Sequence, residues 1–348
     1  MNNNGVNGVS RRGFLMGSLG SSLVITAAGT TGLVLRTSPS YAADTFVSDV
    51  TGSYSFEDAA TGCVVDVSVA NGVRRIRSNG IPNHSTGQFP NSSNPNAISA
   101  QKYDYSFPTT PRQGKDAETY TIPQPFGIAV NGVLFDPLAA EWYNSDRNSG
   151  WSYNALGSGI DLGLDENDAH VQPTGAYHYH GIPDGLVDTI SRKGHSPLIG
   201  WAGDGFPIYL DRGYKKPRNR KSGLTRLTSS YQLKSGTRPS GPGGRYNGDY
   251  NEDYEYIEGS GDLDAANGRF QKTPEFPQGT YAYILTKDYP VIPRAFIGSI
   301  ADSFVKSGGG AAGNGPTNGQ PGAPSGGQPG PGGQRPQGAP GRPRPPRA

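Results

Sequence analysis

The sequence is poor in sulfur. Cys63 is its single cysteine, so the chain cannot close an internal disulfide bond. Its two methionines, Met1 and Met16, both precede the segment that we expect to fold. A metal site in this protein would therefore be built from histidine, carboxylate, tyrosine or backbone oxygen ligands, and this disfavours Cu(I) and iron–sulfur sites.

Several common signatures of catalysis and of helical structure are also missing. The sequence contains no Gly-x-Ser-x-Gly nucleophile elbow and no phosphate-binding loop. Helical periodicity is scarce, and the best candidate for a helix is the short segment "DPLAAEWY" (Asp136–Tyr143), in which Pro137 suits a first turn. A fold built mainly from helices is therefore not expected.

Short apolar or alternating runs, broken by Gly, Pro, Asn and Asp, fill most of the chain. The segment Cys63–Gly80 predicts a β-hairpin about Asn71-Gly72, and Phe126–Asp136 repeats this pattern about Asn131-Gly132. The runs "AYHYH", "LIGWAG", "FPIYL" and "TYAYIL" predict four more strands. We therefore expect a mainly β fold, a single large β-sandwich or barrel-like domain with many Gly/Pro-rich loops.

The two ends of the chain are expected to lie outside this domain. The segment "SRRGFLMG" (Ser10–Gly17) places two arginines before a mildly apolar run. This predicts a twin-arginine signal peptide over residues 1–43 and a periplasmic or secreted protein; an uncleaved membrane anchor is the alternative. From residue 308 to 348, 24 of 41 residues are Gly or Pro, which predicts a disordered tail and leaves a folded domain at residues 44–307.

Charge is distributed unevenly along the chain. The total is +2, of which the signal contributes +3 and the tail +4, so residues 44–307 carry −5. We therefore expect no nucleic-acid partner, and membrane contact only during export. The basic run Arg212–Lys221 is expected to be an exposed loop, and the acidic run Asp249–Asp264 a solvated or charge-paired loop.

Histidine is scarce but clustered. Two of the five histidines lie in "QPTGAYHYHG" (172–181). On a strand, His178 and His180 would share one face while the neighbouring tyrosines take the other. The turn residues "QPTG" could bring His170 back against this strand. Three neutral imidazoles with an open position suit zinc(II), copper(II) or iron(II), whereas the alternative is a polar strand face with no ligand role.

Other candidate site residues have simpler interpretations. Asp204, in a Gly-Asp-Gly turn after His195, could ligate the metal or orient a ligand, but a turn residue bonded to its own backbone is the favoured interpretation. His84 lies in a polar loop and is expected at the surface. Near His170, three carboxylates could act as a general base but are expected to be solvated: Asp165, Glu166 and Asp168.

The chain contains a weak internal repeat. "PTGAYHYH" (173–180) and "PQGTYAYI" (277–284) share Pro, Gly, Tyr and Tyr in register, and each follows a segment that begins "LD" and contains Asp and Asn. The second copy has Ala282 and Ile284 where the first has histidines. If the copies are related, the tyrosines belong to the scaffold, and the histidines have a role that is particular to the first copy.

The motifs "AHVQPTGAYHYHG" (169–181) and "GWAGDGFPIY" (200–209) resemble the YHYH-domain family of bacterial exported proteins. "SGTRPSGPGG" and "GDLDAANGRF" fit the same pattern, and the resemblance covers roughly Phe126 to Phe296. One departure is that Ala265 and Ala266 stand where the family pattern would place an acidic residue and a cysteine. The resemblance implies export but supplies no reaction.

Two functions follow from these observations, beside a third possibility, a structural domain whose tail is a spacer to the cell surface. The first is an exported protein that binds a divalent transition metal through His178, His180 and His170, with hydrolysis or oxidation as possible reaction classes if it is an enzyme. The second is a non-catalytic cell-envelope module that binds carbohydrate or another surface polymer, for which the 19 tyrosines and 3 tryptophans would suit sugar stacking.

Overall fold

The computed structural model describes residues 47, 49–190 and 194–307. Its helices are α1 (Asp184–Ile190) and α2 (Asp302–Ser307), with short 3₁₀ turns at Tyr143–Ser145, Arg147–Ser149 and Asn251–Asp253. Its strands are β1 (Tyr54–Asp58), β2 (Cys63–Ala70), β3 (Val73–Ser78), β4 (Tyr103–Pro108), β5 (Gln113–Thr119), β6 (Gly127–Ala129), β7 (Leu134–Phe135), β8 (Ala169–Val171), β9 (Tyr177–Tyr179), β10 (Leu198–Ala202), β11 (Pro207–Leu210), β12 (Arg212–Lys216), β13 (Asn219–Arg226), β14 (Tyr231–Leu233), β15 (Tyr254–Tyr256), β16 (Gly268–Gln271), β17 (Thr280–Leu285) and β18 (Ala295–Gly298).

Strands β1 to β4 form an antiparallel meander in chain order. The predicted hairpin is confirmed: Asn71 and Gly72 both have left-handed φ angles, as the tight turn between β2 and β3 requires. Alternation along β2 buries Val65 and Val67 and leaves Val64 exposed. The buried face of this sheet therefore needs a partner layer.

That partner is an eight-stranded sheet with the order β16-β17-β11-β10-β6-β7-β9-β8. The two sheets are joined by hydrogen bonds as well as by apolar packing. Ser78 Oγ donates to Gly132 O at 2.8 Å, and the Arg74 guanidinium lies 3.9 Å from the ring centroid of Trp201. The expectation of a mainly β fold is confirmed, and all four of the additional strands predicted from short runs are present as β9, β10, β11 and β17.

The two halves of the eight-stranded sheet have matching topology. Hairpin β6–β7 corresponds to hairpin β10–β11. Strand β7 pairs in parallel with β9, as β11 pairs in parallel with β17. Strand β9 then pairs with β8, as β17 pairs with β16. The halves meet at the antiparallel β6–β10 pair, so the sheet has an approximate two-fold relation about Ile128 and Trp201.

The correspondence extends to side chains. Gly132 and Gly205 both have positive φ in their hairpin turns, and each donates its N–H to the alanine three residues before it at 2.8 Å. Asp165 accepts a hydrogen bond from Tyr177 Oη at 2.7 Å, and Asp264 accepts one from Tyr281 Oη at 2.9 Å. The internal repeat predicted from the sequence is therefore present as a pseudo-symmetric pair of hairpins.

The predicted helix at Asp136–Tyr143 is wrong. Asp136 donates its backbone N–H to Tyr179 O at 2.9 Å, which extends the β7–β9 pairing, and irregular chain follows as far as Trp142. Tertiary pairing with the sheet overrides the weak helical pattern.

The predicted signal peptide (residues 1–43) and tail (residues 308–348) lie outside the described residues. Within the described part of the chain, no helix is long and apolar enough to cross a membrane.

Candidate metal centre

The outer hairpin β8–β9 positions three histidines on one face of the sheet. His170 lies directly opposite His178 in the antiparallel pair, and His180 follows two residues after His178 on the same side. The turn between the strands closes through Gly175 N, which donates to Gln172 O at 2.8 Å. The sequence therefore brings His170 back against the YHYH strand, as predicted.

The three imidazoles converge through their Nε2 atoms. Nε2 of His180 lies 3.0 Å from Nε2 of His178 and 3.1 Å from Nε2 of His170. Among the described residues, these three histidines form the group whose ligand atoms lie close enough together to hold a metal ion. Tetrahedral zinc with Zn–N bonds of about 2.0–2.1 Å places its nitrogen ligands about 3.3 Å apart, so the spacing is close to that of a metal-bound set.

Hydrogen bonds at the opposite ring nitrogens set the tautomers of two histidines. Nδ1 of His170 contacts Leu162 O at 2.9 Å, and Nδ1 of His178 contacts Ala176 O at 3.2 Å. A carbonyl oxygen can only accept, so the proton of each neutral ring lies on Nδ1 and its Nε2 carries a lone pair. Asn94 Nδ2 also lies 3.3 Å from Nδ1 of His170, but this amide donates to Val171 O at 3.0 Å, and the shorter contact with Leu162 O sets the tautomer. Such second contacts are typical of metal-binding histidines.

His180 completes the arrangement from a more enclosed position. The backbone of Asp136 lies near its ring, but Nδ1 of His180 forms no well-aligned hydrogen bond within the described structure. If Nε2 of His180 carried a proton, it could donate to Nε2 of His178 or to Nε2 of His170 but not to both. The other contact would bring an unshared lone pair against the ring. A cation can accept all three lone pairs.

Burial keeps the three rings neutral. His178 and His180 are each 3% exposed, and desolvation lowers the pKa of His178 to about 4. Desolvation, followed by the neighbouring His178, lowers the pKa of His170 to about 4 as well. Desolvation also holds the pKa of His180 well below its ordinary value. At neutral pH the site therefore presents the unprotonated form that binds metal.

The tyrosines of the YHYH strand fix it from the opposite face. Tyr177 and Tyr179 are fully buried. Asn131 Nδ2 donates to Tyr179 Oη at 3.0 Å, and His84 Nε2 lies 2.7 Å from the same oxygen. The expectation that His84 lies at the surface is therefore wrong: it is buried against the strand and supports it, because its polar loop folds over the tyrosine face.

Asp136 is a site residue that sequence reasoning missed. Leu134 pairs with His178 and Phe135 with Tyr179, so alternation places Asp136 on the histidine face. The side chain is half-buried, Tyr120 Oη lies 2.9 Å from its Oδ1, and desolvation raises its pKa to about 6. The detectable signal was its position two residues after Leu134, at the end of a predicted strand, but the parallel pairing with β9 was needed to interpret it.

Asp204 does not join the histidines. It lies in the β10–β11 turn, in the other half of the sheet, where its carboxylate accepts hydrogen bonds from Tyr283 Oη at 2.5 Å and from Gly298 N at 3.0 Å. It also accepts from Phe206 N, two residues ahead, at 3.2 Å. These contacts are those of the turn residue that the sequence favoured, and they account for its burial.

The acidic residues near His170 have structural or solvent-exposed positions. Asp165 accepts from Tyr177 Oη, from Gly87 N and from Asn167 N, and so fixes the turn that precedes β8. Glu166 is exposed. Asp168 is partly buried, and desolvation raises the pKa of its carboxyl.

Neither charged run contributes a residue to the histidine cluster. The basic run is a β-hairpin, β12–β13, rather than an irregular loop, and its cations are exposed as expected. The acidic run contains a charge pair in which Arg238 Nη2 lies 2.6 Å from Asp253 Oδ2. This pairing supports the expectation of a charge-paired segment.

A family model described as "YHYH protein" matches residues 104–298, more than half of the chain. This range covers the resemblance noted from the sequence and includes all three clustered histidines. The comparison with curated proteins found no match, and neither did the comparison with solved structures.

Proposed function

This chain belongs to the YHYH protein family, and we propose that it binds one divalent transition metal ion through His170, His178 and His180. The observation that carries the proposal is the convergence of three Nε2 atoms within hydrogen-bond distance, two of them on rings whose protons are held by carbonyl oxygens. A cation is the partner that suits all three lone pairs.

A purely structural role for the histidines fits the same contacts less well. Histidines that stabilise a strand pair would donate a proton to each acceptor, as Nδ1 of His170 does to Leu162 O. Here burial keeps the rings neutral, so lone pairs face one another in a desolvated site. Such an arrangement is costly without a cation.

Three imidazole ligands with a remaining open position suit zinc(II), copper(II) or iron(II). When bound, such an ion would supply either Lewis-acid activation of water or, for copper and iron, redox chemistry. The chain itself supplies the neutral ligands, the carbonyl contacts that orient His170 and His178, and a carboxylate, Asp136, on the same face.

We also propose that the protein is exported by the twin-arginine route, on the sequence "SRRGFLMG". If the protein follows this route, its metal centre functions in the periplasm or outside the cell. Replacement of Arg11 and Arg12 by Lys should leave the precursor in the cytoplasmic fraction; secretion of the variant at the wild-type level would contradict this part of the proposal.

The metal proposal is tested by measuring metal content by plasma mass spectrometry, both as purified and after reconstitution with each ion. We expect close to one ion per chain in the wild type and less than a tenth of that in His178→Ala/His180→Ala. His195→Ala is the matched control, because His195 is also buried but lies outside the cluster.

Circular dichroism should show that both variants are folded. Absence of any retained ion in the wild type after reconstitution would contradict the proposal, and would leave the histidines as structural parts of a polymer-binding module.

A further inference from the structure

A cavity of about 180 Å³ lies beside the histidine cluster. His178 and Asp136 form part of its wall, and the apolar and aromatic part consists of Tyr103, Tyr105, Pro123, Pro125, Leu134 and Ala176. His178 therefore belongs both to the wall of this cavity and to the histidine cluster, so a molecule in the cavity would lie next to a metal ligand.

The shape and size of the cavity limit what it can hold. Tyrosine rings and proline offer flat apolar surfaces, and an apolar cavity of about 150 Å³ is known to accept benzene. A single ring of six atoms with a short substituent therefore matches the space. The lining also includes three polar residues, Gln101, Gln172 and Thr174, of which Thr174 is exposed and therefore stands on the solvent side.

Charge limits the ligand further. Asp136 is an acidic residue in the wall, and no Lys or Arg is among the described residues that line the cavity. Arg294 acts on Asp136 electrostatically but does not line the cavity. Since Tyr120 Oη engages Oδ1 of Asp136 at 2.9 Å, Oδ2 is the oxygen left to accept a bond from a ligand.

The other half of the sheet offers a comparison. Tyr209 stands where Asp136 stands, and its hydroxyl is bonded to Thr273 Oγ1 and to Glu275 Oε2, both at 2.9 Å. The position that a carboxylate holds in the histidine half is thus held by a tyrosine in the other half.

We propose that this cavity is the ligand pocket of the histidine centre, and that it takes a small ring-containing molecule with a neutral or cationic hydrogen-bond-donating group, which Asp136 accepts. The inference rests on the proposed metal centre for its chemistry, but the pocket itself is formed by groups that can be tested separately.

The test uses three probes of similar shape: benzylammonium, benzyl alcohol and benzenesulfonate, the last chosen because sulfonate is a weak metal ligand. Binding to the metal-loaded full chain is measured by titration calorimetry at neutral pH, and metal content is measured on the same samples. We expect saturable binding of the first two, with one molecule per chain, and binding of benzenesulfonate at least tenfold weaker.

Two variants locate the binding. Asp136→Asn removes the charge of the carboxylate but keeps an oxygen for the contact with Tyr120, and it should reduce the discrimination against benzenesulfonate. Metal content is measured on the same samples, so that an effect on the metal site is recognised. Thr174→Trp, at an exposed position of the lining, should weaken binding of both probes at least tenfold.

Failure of this inference and failure of the metal proposal give different results. Three results would contradict the proposed pocket without contradicting the metal centre, provided that metal is bound. They are the absence of saturable probe binding, equal binding of benzenesulfonate, and binding that Thr174→Trp does not weaken. Probe binding with the expected charge preference in a protein that retains no metal would uphold the pocket and contradict the centre.

Discussion

The two outer hairpins of the eight-stranded sheet, β8–β9 and β16–β17, share their backbone pairing and their buried tyrosines but not their chemistry. His170 and His178 face one another in the first, while Arg269 and Ala282 occupy the same register in the second. His180 is replaced by Ile284, whose N–H bonds to Asn267 O as that of His180 bonds to Asp168 O.

The difference separates the scaffold from the site. The Tyr–Asp contacts occur in both halves, so they serve the fold. The histidines occur in one half only. In the other half their positions hold side chains that do not bind metal: Ala282 and Ile284 are fully buried, and Arg269 Nη2 donates to Tyr214 O at 2.7 Å. The second half is therefore an internal control for the first.

The largest expected effect is common to both halves. Replacement of Tyr177 or of Tyr281 by Ala should each lower the free energy of unfolding by about 3–5 kcal/mol, because each removes a buried aromatic ring and leaves a cavity. Urea denaturation measures both. A loss confined to Tyr177→Ala would show that the two hairpins do not share a scaffold role.

The next largest effect is a dependence of the free energy of unfolding on pH, which we expect from the histidine half. His178 has its pKa lowered from 6.5 to about 4 by burial, so the unfolded chain binds more protons than the folded chain between these values. Its contribution to stability is present above pH 6.5 and is lost as pH falls towards 4, by about 3 kcal/mol.

Urea denaturation of the metal-free protein across this range should show that loss, and His178→Ala should reduce it. Ile284→Val, a change at a non-titrating position of the second half, is the control and should leave the slope unchanged. A variant His178→Ala with the full wild-type slope would contradict the assignment.

A smaller effect is expected at the two turn carboxylates. Asp165→Ala and Asp264→Ala each leave a buried tyrosine hydroxyl and turn N–H groups without their acceptor, at a cost of about 1–3 kcal/mol. The loss of stability should be similar in both, but metal affinity should fall only in Asp165→Ala. Equal losses of affinity would mean that the two hairpins are not independent.

Local patterns predicted much of this arrangement. Asn71-Gly72 and Asn131-Gly132 are turn residues in themselves, and the alternation in "YHYH" places its histidines on one face. The repeat was visible because tyrosines and turn residues recur in register. These features depend on near neighbours in the chain.

The rest depended on contacts between distant segments. Asp136 joins the histidine face only because β7 runs parallel to β9, and the helix expected there gives way to that pairing. His84 is buried because its loop covers Tyr179. Asn131 and Asp204 lie in corresponding turns, and each forms a hydrogen bond with a tyrosine of the neighbouring hairpin. This correspondence could be recognised only from the order of the strands in the sheet.

The most direct test of the metal centre is calorimetric titration of zinc(II) into the metal-free protein, compared with His178→Ala/His180→Ala and with the second-half variant Arg269→Ala. We expect one site per chain in the wild type and in Arg269→Ala, and none in the double histidine variant. Absence of binding in the wild type, or unchanged binding in the folded double variant, would contradict the assignment of the histidines as metal ligands.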